Sequence, residues 1–310
     1  MTGTVRVQPR LWRIYRGMDL GALTREEDAA GESDPLDLST TEGRTHLAWG
    51  TYSRDGLEHA LRAYGTLEKL QSRGLGKLSV DLDLRDPFAP ALVLRSDLFA
   101  APVIEARLRQ VRGHQIGLGR AAADVPLLLL DSLLLQHPGR RFDWLRPPLP
   151  GQQFPGLSLS GEVIQLLLLL AKRVGAEGMA LRPSSFHAAC VYARHFVFAD
   201  GTAQARFDAL REEPRLRPLW LLSWALDLGC VRSGVERVTW TPDLMIAPLE
   251  THLARALSST ARRSAARRGR RRAYRFDLAC LRRRFPWETM PGPPVPRSVQ
   301  ELLRPPRGDV

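Results

Sequence analysis

Between positions 163 and 170 seven of eight side chains are aliphatic, with Gln165 the exception. A helix that apolar on most sides must be buried on most sides, so the rest of the chain has to wrap it. Its ends carry the expected signals. Ser160 is predicted as the N-cap, its hydroxyl meeting an orphan backbone N–H. Glu162 suits the positive end of the helix dipole, and Lys172 and Arg173 suit the negative end. Gly175 can take the left-handed C-terminal conformation. Before the helix runs a turn of small residues, Gly156-Leu157-Ser158-Leu159-Ser160-Gly161. After it come a short β-like run at 179–181, a small-residue helical segment ending at Tyr192, and a strand at 196–198. Such a turn either aims free amides outward as a phosphate or pyrophosphate site, or simply permits close packing.

The loop Gln153-Phe154-Pro155-Gly156-Leu157-Ser158 resembles the acyl-CoA pyrophosphate loop of the GNAT N-acyltransferase superfamily, Gln/Arg-x-x-Gly-x-Gly/Ala. Gln153 and Gly156 match, and Ser158 stands where Gly or Ala is usual. The leucine-rich helix, short strand and Tyr-bearing helix follow in the family's order, so the resemblance covers residues 147–200. It implies an α/β (α+β) fold, a GNAT-like mixed central sheet flanked by helices, with a helical, basic C-terminal extension. It also implies acetyl-CoA or another acyl-CoA as co-substrate, no metal, and a small-molecule or protein amine as acceptor. Gln153, Gly156, Leu157, Ser158, Leu159, Ser160 and Gly161 would hold the cofactor, and Tyr192 would protonate the departing thiolate. The run 127–135, which by itself reads as either buried strand or buried helix, becomes the central strand feeding the loop. Asp131 would then lie in apolar surroundings that raise its pKa and fit it to act as base; otherwise it faces solvent or caps a helix. Three departures accompany the match. Pro155 brings no N–H, Ser185 or its neighbours replace an Asn before the Tyr helix, and His195-Phe196-Val197-Phe198 lacks the usual Gly.

Upstream, residues 1–45 read as a poorly ordered leader, because 24–41 is acidic, small and polar. Apolar residues at helical spacing from Leu57 to Leu70 predict a helix over 55–72, stopped by Gly74. Leu78, Val80, Leu82 and Leu84 alternate with polar residues as a strand, and 91–94 returns as its hairpin partner. A helix is expected at 101–111. Gly117-Leu118-Gly119 offers a weaker glycine-rich turn. Beyond Asp200, helices are expected at 202–211 and 219–228, with Trp220 and Trp224 on one face. A strand at 235–241 could extend the sheet. The domain reading is therefore a leader (1–45), a GNAT-like domain (46–245), an arginine-rich helical extension (246–285) and an extended proline-rich tail (286–310).

Charge is concentrated. Of 45 basic residues 42 are Arg, and 261–284 alone holds eleven Arg and one Asp, ten of the net +12 charges. This segment, with Arg262 and Arg284 near its ends, could bind nucleic acid non-specifically, with Tyr274 and Phe276 stacking on bases; or it is a solvated helix. Cys190, Cys230 and Cys280 form neither a disulfide framework nor a zinc pattern and read as small buried hydrophobes. No leader-like apolar core opens the chain and no apolar run is long enough for a membrane span, so a cytoplasmic protein is expected. A nucleophile elbow at Gly156–Ser160 is set aside, because residues 149–155 cannot form the strand it needs. Two functions remain: an acyl-CoA-dependent N-acyltransferase, and a catalytically inactive GNAT-like binding protein that contacts nucleic acid through its arginines.

Overall fold

The computed structural model describes residues 4–25, 47–212, 218–258 and 274–303. Helices α1 (Pro9–Gly17), α2 (Leu20–Thr24), α3 (Arg54–Ala63) and α4 (Thr66–Gln71) precede the strands β1 (Leu78–Asp83), β2 (Ala91–Ser96), β3 (Phe99–Arg112) and β4 (Pro126–Leu135). Then come α5 (Ser160–Arg173), β5 (Gly178–Leu181), α6 (Phe186–Tyr192), β6 (Val197–Phe198), α7 (Gly201–Arg211) and α8 (Leu219–Asp227). The hairpin β7 (Val231–Ser233) and β8 (Glu236–Val238) leads to β9 (Met245–Pro248), α9 (Thr251–Leu257), β10 (Arg275–Phe276), α10 (Leu278–Arg284) and α11 (Arg297–Leu303).

The molecule is a mixed α/β structure. Its main sheet has seven strands in the order β1-β2-β3-β4-β5-β9-β6. Every neighbouring pair is antiparallel except β4 and β5, which run parallel. A parallel pair needs a crossover, and α5 supplies it. Because β4 is central, Leu127 to Leu130 in its first half are buried on both faces, while Leu134 beyond Asp131 is exposed. Leu128 and Leu130 join the large core with α5, whereas Leu127 and Leu129 join a second cluster with Ile246, Leu253 and Leu257. The ambiguity of the 127–135 run is thereby resolved as strand.

Several expectations change. The expected helix at 101–111 is the long strand β3, with Val103, Ile104, Ala106 and Leu108 buried. Ala, Glu, Gln and Arg favour helix locally, but pairing with β2 on one side and β4 on the other outweighs that small propensity. Of the strand expected at 235–241, residues 236–238 are extended as β8, but β8 does not join the main sheet; it pairs with β7, and β7 with β10, in a separate three-stranded sheet. The main sheet is extended by β9, which spans the 245/246 division drawn from sequence and inserts between β5 and β6.

The N-terminal leader supplies structured helices at its described end. Leu11 of α1 and Leu23 of α2 are buried in the core. The Gln8 N–H donates to Gln165 Oε1 at 2.8 Å, and Arg173 lays its guanidinium 4.1 Å over the Tyr15 ring. At Gly56, opening α3, a Cβ would lie 1.9 Å from the Leu23 carbonyl oxygen, so only glycine lets α2 dock there. Residues 26–46 lie outside the described part.

The C-terminal region differs too. Cys230 and Cys280 are buried and joined as a disulfide, with Cα atoms 5.5 Å apart. Fifty residues of separation gave no spacing signal for that pairing; β7 and β10 bring the two together by pairing. The proline-rich tail is not simply extended, since α11 buries Val299 and Leu303. Trp220, Trp224 and Trp287 converge on Phe285, at centroid distances of 4.9 to 6.4 Å. Of the arginine segment, 259–273 lies outside the described residues. Among the described residues no helix is long and apolar enough to cross a membrane.

Candidate functional site

β4 and β5 pair only from Leu127↔Gly178 to Leu130↔Leu181. Beyond that point β4 continues to Leu135 beside β3, and its other edge has no β5 partner. The register of β4 against β3 also shifts here, from Leu108↔Leu130 to Arg107↔Ser132, leaving Asp131 as the extra residue of a β-bulge. Bulges end pairing and re-aim side chains. Pairing of β4 with β5 therefore stops at Leu130, where β5 ends, and among the described residues no strand pairs with β4 on that side from Asp131 to Leu135.

The loop leading into α5 lies near this stretch of β4, since a Cβ on Gly156 would come 3.7 Å from the Leu135 carbonyl oxygen. Its residues alternate. Leu157 and Leu159 are buried and staple the loop to the core, while Gly156, Ser158 and Ser160 are not buried. Two carbonyls are held from behind: the His137 N–H donates to the Pro155 carbonyl at 2.8 Å, and the Arg73 guanidinium donates to that of Leu157. In a trans peptide the following N–H points the opposite way, so the amides of Gly156 and Ser158 turn away from these anchors. Ser158 has φ +55°, a left-handed conformation that favours glycine. This is the loop position where the resembled motif has Gly or Ala.

Ser160 is not the N-cap. Leu159 takes that place, its carbonyl accepting from the Val163 N–H at 3.0 Å, and no side chain caps the helix. The reason is geometric: the left-handed turn at Ser158 lets the helix begin one residue earlier, with Ser160 inside its first turn. Among the described residues, no acceptor reaches the amides of Ser160 or Gly161. Orphan donors at the positive end of a fourteen-residue helix favour an anion.

Two cations that the sequence did not single out lie beside the loop. Arg146 donates to Ser158 Oγ at 3.4 Å, and a guanidinium nitrogen of Arg194 lies 3.6 Å from where a Gly161 Cβ would be. With 42 arginines in the chain, no local pattern marks these two. Gln153 is exposed at the start of the loop. Lys69 pairs with Glu162 at 2.5 Å, which compensates the one acid in the first turn.

Asp131 is not in the desolvated setting expected of it. It is exposed, and both carboxylate oxygens accept from Arg109, at 2.6 and 2.8 Å. Arg109 sits on β3, and the pairing raises its own pKa. Apolar neighbours in sequence do not bury Asp131, because the bulge turns it toward that cross-strand partner.

Tyr192 closes α6, its ring edge-on to Phe196 at 5.8 Å, and burial pushes its phenol up to about 12. It is therefore a neutral O–H donor at physiological pH. At the other end of α6, Ser185 is the N-cap, accepting from the Ala188 N–H, and its Oγ lies 3.0 Å from His187 Nε2. Burial pushes His187 down to about 4, so its imidazole is neutral. Arg194, two residues after Tyr192, links the end of this helix to the mouth of α5. Among the described residues, no group of three or more His, Cys, Asp or Glu side chains could hold a metal ion.

No protein-family model matches the chain, and no curated protein matches it.

Proposed function

We propose that the chain is a GNAT-type N-acyltransferase that moves an acyl group, in the simplest case acetyl, from coenzyme A to an amine. The observation that carries this reading is the one parallel strand pair among the described residues, whose pairing ends at Leu130, one residue before Asp131, with the uncapped mouth of α5 beside the continuing β4. That arrangement offers two complementary features. Amides of Gly156, Ser158, Ser160 and Gly161, with Arg146 and Arg194 nearby, suit a diphosphate. The free edge of β4 suits an extended arm bearing amides, which can add to the sheet as a further strand would.

In this scheme acyl-CoA supplies the activated thioester. The chain's own residues align it along β4, and an acceptor amine attacks the carbonyl carbon. Tyr192 then gives its phenolic proton to the sulfur as the carbon–sulfur bond breaks. The amine proton passes to water; Asp131 could take it only if Arg109 released one carboxylate oxygen.

Titration calorimetry with coenzyme A tests the reading. Heat and a raised melting temperature are expected with the native chain, and loss of both with Gly161→Glu, which sets a carboxylate at the helix mouth without collision. Absence of heat and of any melting shift at millimolar coenzyme A would remove it. The engagement of Asp131 by Arg109 favours a second reading, a GNAT-like domain that binds acyl-CoA or a partner without turnover. Binding without any release of free thiol across a panel of amines would select that reading.

A further inference from the structure

The structure holds a second space, partly open at its rim, that takes no part in the scheme above. A cavity of about 60 Å³ lies between α3, α4 and α5 on one side and β2 and β3 on the other. Leu57, Leu92, Leu94, Ile104 and Leu167 form much of its wall, together with the rings of Tyr52 and Tyr64. Thr66 also lines it, is only 2% exposed, and its Oγ1 is buried with no hydrogen-bond partner. The cause is local. Within a helix a threonine hydroxyl can bond back to a carbonyl one turn earlier. Thr66 is the first residue of α4, directly after left-handed Gly65, so that turn does not exist.

Water is a poor occupant. A buried water needs two to four polar partners, and among the lining residues Thr66 Oγ1 is the one buried side-chain polar atom left unpaired. A wholly apolar molecule would fill the space but leave Oγ1 orphaned. The chemistry that satisfies both walls and hydroxyl is an aliphatic body with one polar atom.

We propose that this cavity is a binding site for a small aliphatic molecule carrying a single hydrogen-bonding oxygen, the oxygen paired with Thr66 Oγ1. At roughly 30 Å³ for each water-sized group, about two such groups fit as it stands, and an outward shift of the leucines would be needed to admit the three heavy atoms of ethanol or the four of propan-1-ol. The site is separate from the mouth of α5 and stands whether or not the chain transfers acyl groups.

Methyl-resolved NMR of the full chain, titrated with propan-1-ol and separately equilibrated with xenon, tests it. Saturable shifts confined to the methyls of Leu57, Leu92, Leu94, Ile104 and Leu167 are expected with both probes. Thr66→Val should weaken propan-1-ol about tenfold and leave xenon unchanged. Ala106→Leu, which fills the space from β3, should abolish both responses. If Thr66→Val does not fold, Thr66→Ser should bind propan-1-ol as the native chain does. Shifts spread over the surface, no saturation, or equal affinity in Thr66→Val would each overturn the proposal, the last by showing that apolar filling alone drives binding.

Discussion

At the residue scale, Tyr192 and His187 show how burial selects a protonation state on the two ends of one short helix. Tyr192→Phe keeps the ring against Phe196 and removes only the proton. Under the acyl-transfer reading kcat should fall about 10²-fold with little change in KM, as for loss of a general acid. With the phenol held up to about 12, the native rate should show no loss from Tyr192 ionisation up to about pH 10. His187 gives a stability prediction. Its folded pKa, about 4, lies below the ordinary 6.5, so the contribution of the neutral ring is present above pH 6.5 and lost as pH falls toward 4. Denaturant titrations of the native chain and His187→Gln should diverge on acidification across that window, the native chain losing more. Sequence singled out Tyr192 by its place in an ordered motif. It gave no reason to pair His187 with Ser185, since that contact depends on how the chain leaves β5 to enter α6.

At the element scale, α5 was legible because its composition leaves no alternative to burial, and its ends carry charges of the sign the dipole prefers. Its start was misplaced by one residue, because a left-handed Ser158 is invisible until the loop is folded. β3 was misread for the opposite reason: its local preferences are helical, and only its two flanking strands make it extended. The C-terminal sheet rests on a similar long-range event, and its disulfide gives the prediction. Replacing both Cys230 and Cys280 with Ala should lower unfolding free energy by about 2–4 kcal/mol, read as a fall in denaturant midpoint. Under reducing conditions the native chain should approach the double variant. An unchanged midpoint in both would show that the hairpin and α10 hold without the bond.

At the scale of the whole molecule, charge and fold separate. Two of the four described arginines of the basic segment serve structure: Arg282 donates to the Leu302 carbonyl at 3.0 Å, and Arg284 donates to that of Leu228, while Arg275 and Arg283 are exposed. Any nucleic-acid binding by this segment should therefore reside in the remaining arginines, seven of them at positions 262–272, with the exposed Arg275 and Arg283 beside them. Deleting 261–273, which removes seven of those nine arginines, should reduce by about tenfold or more a binding that weakens steeply between low and moderate salt, while β10 and α10 keep the fold intact. Retained, salt-steep binding after that deletion would assign it to another surface. The same division explains why composition was a poor guide to Arg146 and Arg194, two arginines whose value lies only in standing at the mouth of α5.

What the sequence determined by itself is what short-range patterns encode: a buried leucine helix, the small-residue loop before it, the alternating strand β1, and a tyrosine at the end of a short helix. Each follows from periodicity or composition within a few turns of chain. Only tertiary structure decided that β3 is extended, that β9 enters the sheet between β5 and β6, that Cys230 meets Cys280, and that Asp131 answers to Arg109. These are contacts between residues far apart in the chain, and they weigh more than the small local preferences that oppose them.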